Sequence, residues 1–462
     1  MKKRTFLKLS TALIAGAAYP PLMSCSSKQE KMVEAVKEPT MIKNWAGNLT
    51  YSTSNLHEPT TIDEIKAVIE KSEKLRALGT RHCFNTIADS TANLLSTRML
   101  KEVGEVDKEA NTITVGAGVR YGDLCKVLDA KGYALHNLAS LPHISVAGAC
   151  ATATHGSGVN NGNLATSVSA IEFVSGSGEV VKLSRADDAD TFNGAVVNLG
   201  CLGVLSKVTL NLLPTFQIAQ LVYLNLPISQ LEKNFEDIMS SGYSVSLFTD
   251  WQTDAINQVW VKQVANSSKI VAPMEEFYGA KPADRNVHPI IDLSAVNCTD
   301  QMGVPGPWYD RLPHFKLDFT PSSGEELQAE YFVPFDKAVE AIKAVTELKS
   351  ELKDLLMITE IRSIASDELW MSMSYQRPSV AIHFTLKQNI EGVARFLPKL
   401  EEKLAPFDPR PHWGKLFTLS PSVLQSRYGK INEFKRLIAK YDPQGKFQNE
   451  FITSNIFGTA KF

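Results

Sequence analysis

At 462 residues the chain is too long for one ordinary compact domain and predicts two or three. Apolar residues at 44%, charged residues at 21%, 27 Gly and 22 Pro describe a globular protein and exclude disordered, collagen-like and coiled-coil classes. The net charge of −2 gives no electrostatic case for a nucleic-acid partner, and six cysteines without a CxxC pair supply neither a disulfide framework nor a zinc site, so no metal is expected.

Lys2, Lys3 and Arg4 head an apolar stretch, Leu9 to Tyr19, too short to span a bilayer comfortably, which reads as an export signal. Leu22-Met23-Ser24-Cys25 resembles a bacterial lipobox, and Lys3-Arg4-Thr5-Phe6-Leu7-Lys8 resembles a twin-arginine signal with lysine in place of the first arginine. Residues 1–25 are therefore expected to be an export signal with Cys25 as the lipidated residue, and 26–40 a polar tether. An exported lipoprotein of the bacterial cell envelope follows, anchored to a membrane without crossing it. An ordinary secretory signal with an incidental cysteine is the alternative.

Thr61-Ile62-Asp63-Glu64 is a capping box opening a helix that carries Ile62, Ile65, Val68 and Ile69. Lys74 to Leu78 reads as a strand entering Gly79-Thr80-Arg81-His82, and Ile113-Thr114-Val115 as one entering Gly116-Ala117-Gly118. A helix over Tyr121–Ala130 and a small-residue stretch from Ser140 to Gly158 follow, and strands and turns alternate from Ile171 to Leu213. Past Pro214, segments 217–226, 243–251 and 258–264 alternate like strands, while 229–240, 335–352 and 390–404 have helical periodicity. Segment 265–325 is rich in Pro, Asn and Asp and reads as loop. These patterns predict an α+β chain with an N-terminal domain over 41–214, a second over 215–415, and a tail, 416–462, returning to the first.

Gly79 to Asn85 and Leu141 to Gly158 could each cradle an anion through bare backbone N–H groups, although a plain turn is the commoner meaning of either alone. Neither contains GxGxxG or a GKS/GKT, which disfavours a Rossmann site and a P-loop. Together, Gly79-Thr80-Arg81-His82-x-Phe84-Asn85, Val115-Gly116-Ala117-Gly118, Ser140-Leu141-Pro142-His143-Ile144-Ser145-Val146-Ala147-Gly148 and Thr154-His155-Gly156-Ser157-Gly158 resemble the FAD domain of the vanillyl-alcohol oxidase superfamily. Glu360-Ile361-Arg362, Ala381-Ile382-His383-Phe384-Thr385 and Arg410-Pro411-His412-Trp413-Gly414-Lys415 resemble the alditol oxidases, relatives of the aldonolactone oxidases.

The resemblance implies FAD attached covalently through His82, with Gly79, Thr80, Arg81, Cys83, Phe84, Asn85, Ser140, Ser145, Gly148, Thr152, His155 and Gly156 at the cofactor. It implies a two-domain flavoprotein, its FAD-binding domain joined to a substrate (cap) domain built on an antiparallel sheet with helices. Cys150 and Cys201 are expected as small buried fillers.

Alternation informs the second half directly. Glu360 and Arg362 share one strand face, and Ala381, His383 and Thr385 share another, with Val380, Ile382, Phe384 and Leu386 on the opposite side. An isolated Glu360–Arg362 pair could be a surface ion pair; a second polar-faced strand and Lys415 favour a site. The resulting expectation is oxidation of an alditol primary alcohol, with O2 reduced to H2O2. Arg362 and Lys415 would stabilise the developing alkoxide, Glu360 would hold Arg362 and bond a hydroxyl, and by the family analogy Ser140, His383 and Thr385 would bind other hydroxyls. His412 and Trp413 stay open between site and scaffold, and Lys415 between base and cation. The alternatives are an aldonolactone oxidase or dehydrogenase, and a flavin- or sugar-binding lipoprotein without turnover.

Overall fold

The computed structural model describes residues 41–458. The export signal, Cys25 and the tether lie outside the described residues. No helix among the described residues is long and apolar enough to cross a membrane.

The N-terminal half is built mainly on a three-stranded and a five-stranded sheet, with Tyr133–Ala134 and Leu213–Pro214 forming a small antiparallel pair beside them. Leu56–His57, Asn93–Ser96 and Leu75–Leu78 form a parallel three-stranded sheet. A five-stranded antiparallel sheet runs Val103–Asp107, Thr112–Gly116, Gly203–Asn211, Val168–Ser175, Val180–Ser184. Helix Ile62–Lys71 buries Ile65 and Ile69, and Thr61 Oγ1 caps it by accepting from Glu64 N at 3.2 Å. The reciprocal bond of the box reaches one residue further back, from Thr60 N to Glu64 Oε2 at 2.6 Å. Helix Arg185–Ala195 interrupts the stretch that alternation reads as strands and turns. Its sequence has almost no amphipathic stripe, and the local signal for it is Ser184 accepting from Asp187 N at 3.0 Å.

The C-terminal half is organised by one antiparallel nine-stranded sheet, whose centre runs Gln217–Pro227, Ala255–Ala265, Ser244–Thr249, Leu356–Ile364, Ser379–Leu386, Leu327–Pro334. One face carries Val245, Leu247, Ile361, Val380, Ile382, Phe384, Tyr331 and Val333, all buried with helices Leu231–Met239, Ala338–Thr346 and Ile390–Leu404. The last helix buries Val393, Phe396, Leu397, Leu400 and Leu404, an i, i+3, i+4, i+7 stripe set against the sheet. The periodicity over 335–352 resolves into two helices, Ala338–Thr346 and Lys349–Leu355. With one sheet face sealed by apolar packing, polar residues of the same strands must face the other side.

Segment 265–325 has little regular structure and crosses that polar face. The N–H groups of His314 and Phe315 donate to Ser140 O at 2.9 and 3.1 Å, tying it to the N-terminal half. The final segment returns to the N-terminal half as well: Tyr441 meets Phe173 edge-on at 5.2 Å, and Leu75 N donates to Lys446 O at 2.9 Å. Buried Arg76 fixes the junction by donating to the carbonyls of Gly200, Phe447, Ile87 and Leu199 at 2.5–2.8 Å. A fully buried guanidinium is tolerable only with such acceptors.

Candidate active site

A cavity of about 1330 Å³, counting its open mouth, extends from the Gly79–Phe84 and Ser140–Gly148 segments to the polar face of the large sheet. Ser145 does not line the cavity: its Oγ is buried just behind the glycine end, without a partner among the described residues. A Cβ on Gly79 or Gly148 would lie 2.6 or 2.9 Å from that oxygen, so only bare backbone leaves it room. Thr80 Oγ1 accepts from Ser145 N at 3.3 Å and stitches the two segments together.

His82 follows Arg81, whose φ of 63° puts a non-glycine residue in the left-handed region and turns the chain sharply. The imidazole stacks on Trp45 with ring centroids 5.1 Å apart, and Nδ1 lies 3.1 Å from Thr80 Oγ1. Nε2 is buried and unpartnered. Burial, with His143 adding to it, pushes the His82 pKa down to about 3, so the ring is neutral and keeps a free lone pair. The His82 loop is sewn to the Lys415 loop: Phe84 N donates to Gly414 O at 2.7 Å, and Asn85 Nδ2 to the carbonyls of Trp413 and Lys415 at 2.8 and 2.7 Å.

At the sheet end, register does the assembly. Glu330, His383 and Glu360 lie in one row across three strands, with Gln328 opposite Thr385 in the next and Arg362 opposite Ala381 on the other side. Glu330 is the hub. Its Oε1 accepts from Arg362 Nη2 at 2.8 Å and lies 3.1 Å from His155 Nε2, while Oε2 is 2.8 Å from Lys415 Nζ. Burial alone would raise its pKa, but Lys415, His155 and Arg362 outweigh that and hold it well below the usual carboxylate range. Burial drives Lys415 below the usual lysine value, with Glu330 opposing. Burial would lower Arg362 too, but Glu360 and Glu330 prevail and raise it. Arg362 Nη1 also donates to Ser140 Oγ at 3.1 Å, and Nε is 3.5 Å from Glu360 Oε1.

Glu360 therefore shares Arg362 and is not its main partner; the shorter contact belongs to Glu330. Glu360 Oε1 meets His314 Nε2 at 2.7 Å, and Oε2 has no protein partner among the described residues. Burial pushes the His383 pKa down to about 3, so it is neutral. Gln328 Nε2 donates to Glu326 Oε1 at 2.5 Å, which turns Gln328 Oε1 towards His383 Nε2 at 3.1 Å. His383 thus carries its proton on Nε2, and its buried Nδ1 is an unused acceptor.

Of the residues singled out in the sequence, Glu360, Arg362, Lys415, Ser140, His383 and Thr385 all line the cavity. So do Gly79, Thr80, Arg81, His82, Cys83, Phe84, Gly148, Thr152 and His155. Asn85 and Gly156 serve as backing: Asn85 holds the Lys415 loop, and Gly156 packs against Asn137 and the Leu138 carbonyl. Gly116 and Gly118 likewise allow backbone contact with Leu100 and Thr97 away from the cavity. His412 lines the wall, whereas Trp413 is wholly buried and donates to Met371 O at 2.7 Å. Sequence reasoning missed Glu330, Gln328 and His314. The alternation Gln328, Glu330, Phe332 was a readable signal for the first two.

The chain is 44% identical over 422 residues to the alditol oxidase of a Streptomyces species, a match spanning 91% of this chain and 100% of that protein. The chain belongs to the alditol oxidase family. Residues 54–184 match the FAD binding domain family and 324–455 the D-arabinono-1,4-lactone oxidase family. More distant relatives of this alditol oxidase family member include the L-gulonolactone oxidase of Mus musculus, 25% identical over 89% of this chain and 97% of that protein. Another is the L-gulono-1,4-lactone dehydrogenase of Mycobacterium tuberculosis, 26% identical over 90% of this chain and 98% of its own length. Cholesterol oxidase from Brevibacterium sterolicum shares the fold, with a TM-score of 0.71 at 14% identity, covering 90% of this chain and 96% of that one.

The unpartnered Ser145 Oγ and His82 Nε2 and the bare glycine backbone beside them fit FAD at the glycine end. Replacing Glu330 by Gln should strand two cations and lower the unfolding free energy at neutral pH by about 3–5 kcal/mol. Because the Glu330 pKa is depressed in the fold, its contribution is complete above the unfolded value of 4.5 and is lost as pH falls. Urea midpoints of both proteins should therefore differ most at pH 7 and converge in acid.

Proposed function

We propose that the protein oxidises the primary alcohol of an alditol such as xylitol or sorbitol to the aldose, with FAD as cofactor and O2 reduced to H2O2. The observation that carries this reading is the pairing, in one cavity, of two cations around Glu330 with two unused acceptors, His383 Nδ1 and Glu360 Oε2. A substrate oxygen against Lys415 and Arg362 meets positive charge where negative charge grows, from side chains that are themselves largely buried. His383 Nδ1 and Glu360 Oε2 accept from substrate hydroxyls, while Ser140 and Thr385 offer hydroxyls of their own. Bound FAD supplies the acceptor for the carbon-bound hydride and the route of electrons to O2. So many fixed polar groups favour a polyhydroxylated chain, since an apolar alcohol would leave them unpaired.

His82 is the proposed covalent attachment point, supported by its neutral ring and unused Nε2. His82→Ala should leave acid-precipitated protein colourless; persistent colour would rule out this tether. Arg362→Ala and Lys415→Ala should each lower kcat by about two to three orders of magnitude, with flavin content unchanged. Loss of flavin in either variant would assign the residue a structural role.

The family match over 324–455 supports a second reading, oxidation of an aldonolactone. A panel of xylitol, sorbitol, gulonolactone and arabinonolactone with peroxide detection separates the two, and lactones alone reacting would overturn the alditol reading. Turnover of none, with an unbleached flavin under anaerobic conditions, would instead leave a binding protein.

The proposal extends to the cell envelope. Support comes from the charged head, the short apolar stretch and Leu22-Met23-Ser24-Cys25. In its bacterial host the protein should fractionate with membranes, and Cys25→Ser should release it; an unchanged distribution would refute the lipid anchor.

A further inference from the structure

Behind Glu360 lies a buried chain of polar groups that the scheme above leaves unused. Lys262, on strand Ala255–Ala265, is fully buried, and its Nζ lies 2.5 Å from Leu312 O, 3.1 Å from Pro313 O and 3.1 Å from His314 Nδ1. Burial pulls the Lys262 pKa down to about 7, with Glu360 opposing, but three acceptors around Nζ match the three protons of the ammonium and leave no donor for an amine lone pair. His314 Nδ1 must therefore accept. Burial, reinforced by Lys262, pushes the His314 pKa down to about 4, so the neutral ring keeps its one proton on Nε2. That nitrogen is 2.7 Å from Glu360 Oε1. His314 also belongs to the covering segment, where its own N–H donates to Ser140 O at 2.9 Å.

We propose that Lys262 is a positioning residue for Glu360: it pins the 312–314 turn and fixes His314 as the Nε2–H tautomer, so that Oε1 is held and Oε2 points to substrate hydroxyls. This deepens the alditol reading and rests on it. Without the ammonium, the Glu360 carboxylate is left alone to hold the proton on Nε2, and His314 Nδ1 is free to take a proton. In the Nδ1–H tautomer a lone pair would face the Glu360 carboxylate, and the two would repel. A glutamine at 314 has an amide that can donate to Glu360 whatever occupies 262, so it uncouples the pair.

The test uses ¹⁵N-histidine-labelled holoenzyme in four forms: wild type, K262M, H314Q and K262M/H314Q. The His314 signals, identified by their loss in H314Q, should report an Nε2–H ring in wild type, and K262M should lose that signature. In parallel, K262M should lower kcat/KM on xylitol by about 10- to 100-fold, the scale for removing a group that orients a reacting residue. In the H314Q background the same change should cost less than about 3-fold. An unchanged tautomer in K262M, or equal losses in both backgrounds, overturns the proposal. Should K262M fail to accumulate as folded holoenzyme, H314F against H314Q decides: H314F must lose clearly more activity than H314Q, and equal losses refute the role. The tautomer measurement needs no substrate, so wild-type inactivity on every alditol would refute the alditol reading separately.

Discussion

Two cations cannot sit side by side away from water without an anion between them, and Glu330 is that anion. Arg362 and Lys415 each lie 2.8 Å from one of its oxygens, and His155 completes the cluster. The four residues come from the glycine-rich segment, two strands of the large sheet and the loop after Arg410–Pro411. Desolvating each charge singly would cost several kcal/mol, and their mutual attraction recovers that only at contact distance. Arrangement of the halves is thus coupled to the charge cluster: a displacement of the His155 segment or the Lys415 loop leaves a buried charge uncompensated. The same coupling reaches the cofactor end, since Asn85 and Phe84 bond the Lys415 loop and adjoin His82.

The antiparallel register converts this constraint into a surface. On the three central strands one face is apolar and locked under helices, which prevents a slip of one residue. The opposite face then presents Glu330, His383 and Glu360 in a row, with Gln328 and Thr385 beside them. Their acceptors and donors are fixed by neighbours, as Glu326 orients Gln328 and Gln328 sets the His383 tautomer. Such a surface arrives with its polar groups already aimed, so binding a hydroxylated chain requires little reordering of the protein.

Wherever periodicity coincides with burial, the sequence was readable. Helix Ile390–Leu404 has the bounds its apolar stripe suggests, and Glu360–Arg362 and His383–Thr385 share faces because strand parity requires it. Glu330 was marked only by a two-position polar alternation, Gln328 and Glu330, because the next residue on that face of strand Leu327–Pro334 is the apolar Phe332. His314 could not be found that way at all. It sits in segment 265–325, positioned by Lys262 and Glu360 across 52 and 46 residues of chain, and local pattern carries no information about such contacts. Glycine posed the reverse problem: Gly79 and Gly148 border the cavity while Gly116 and Gly118 relieve backbone contacts, and nothing local distinguishes them.

The placement of buried nitrogen atoms separates the two ends of the cavity chemically. His82 Nε2 and His383 Nδ1 are both buried, unpartnered and on rings kept neutral, with pKa values pushed down to about 3. A buried lone pair left unused costs free energy unless a ligand engages it. At the glycine end the lone pair adjoins Trp45 and the Thr80 turn, far from any side-chain anion contact of its own, which suits a nucleophile left free to bond. At the sheet end it shares the cavity with Lys415 and Arg362, which suits an acceptor of a hydroxyl proton. Burial, reinforced by Lys415 and Arg362, keeps the His383 ring from taking a second proton, so the charge cluster proposed to steady the substrate oxygen also keeps Nδ1 available as an acceptor.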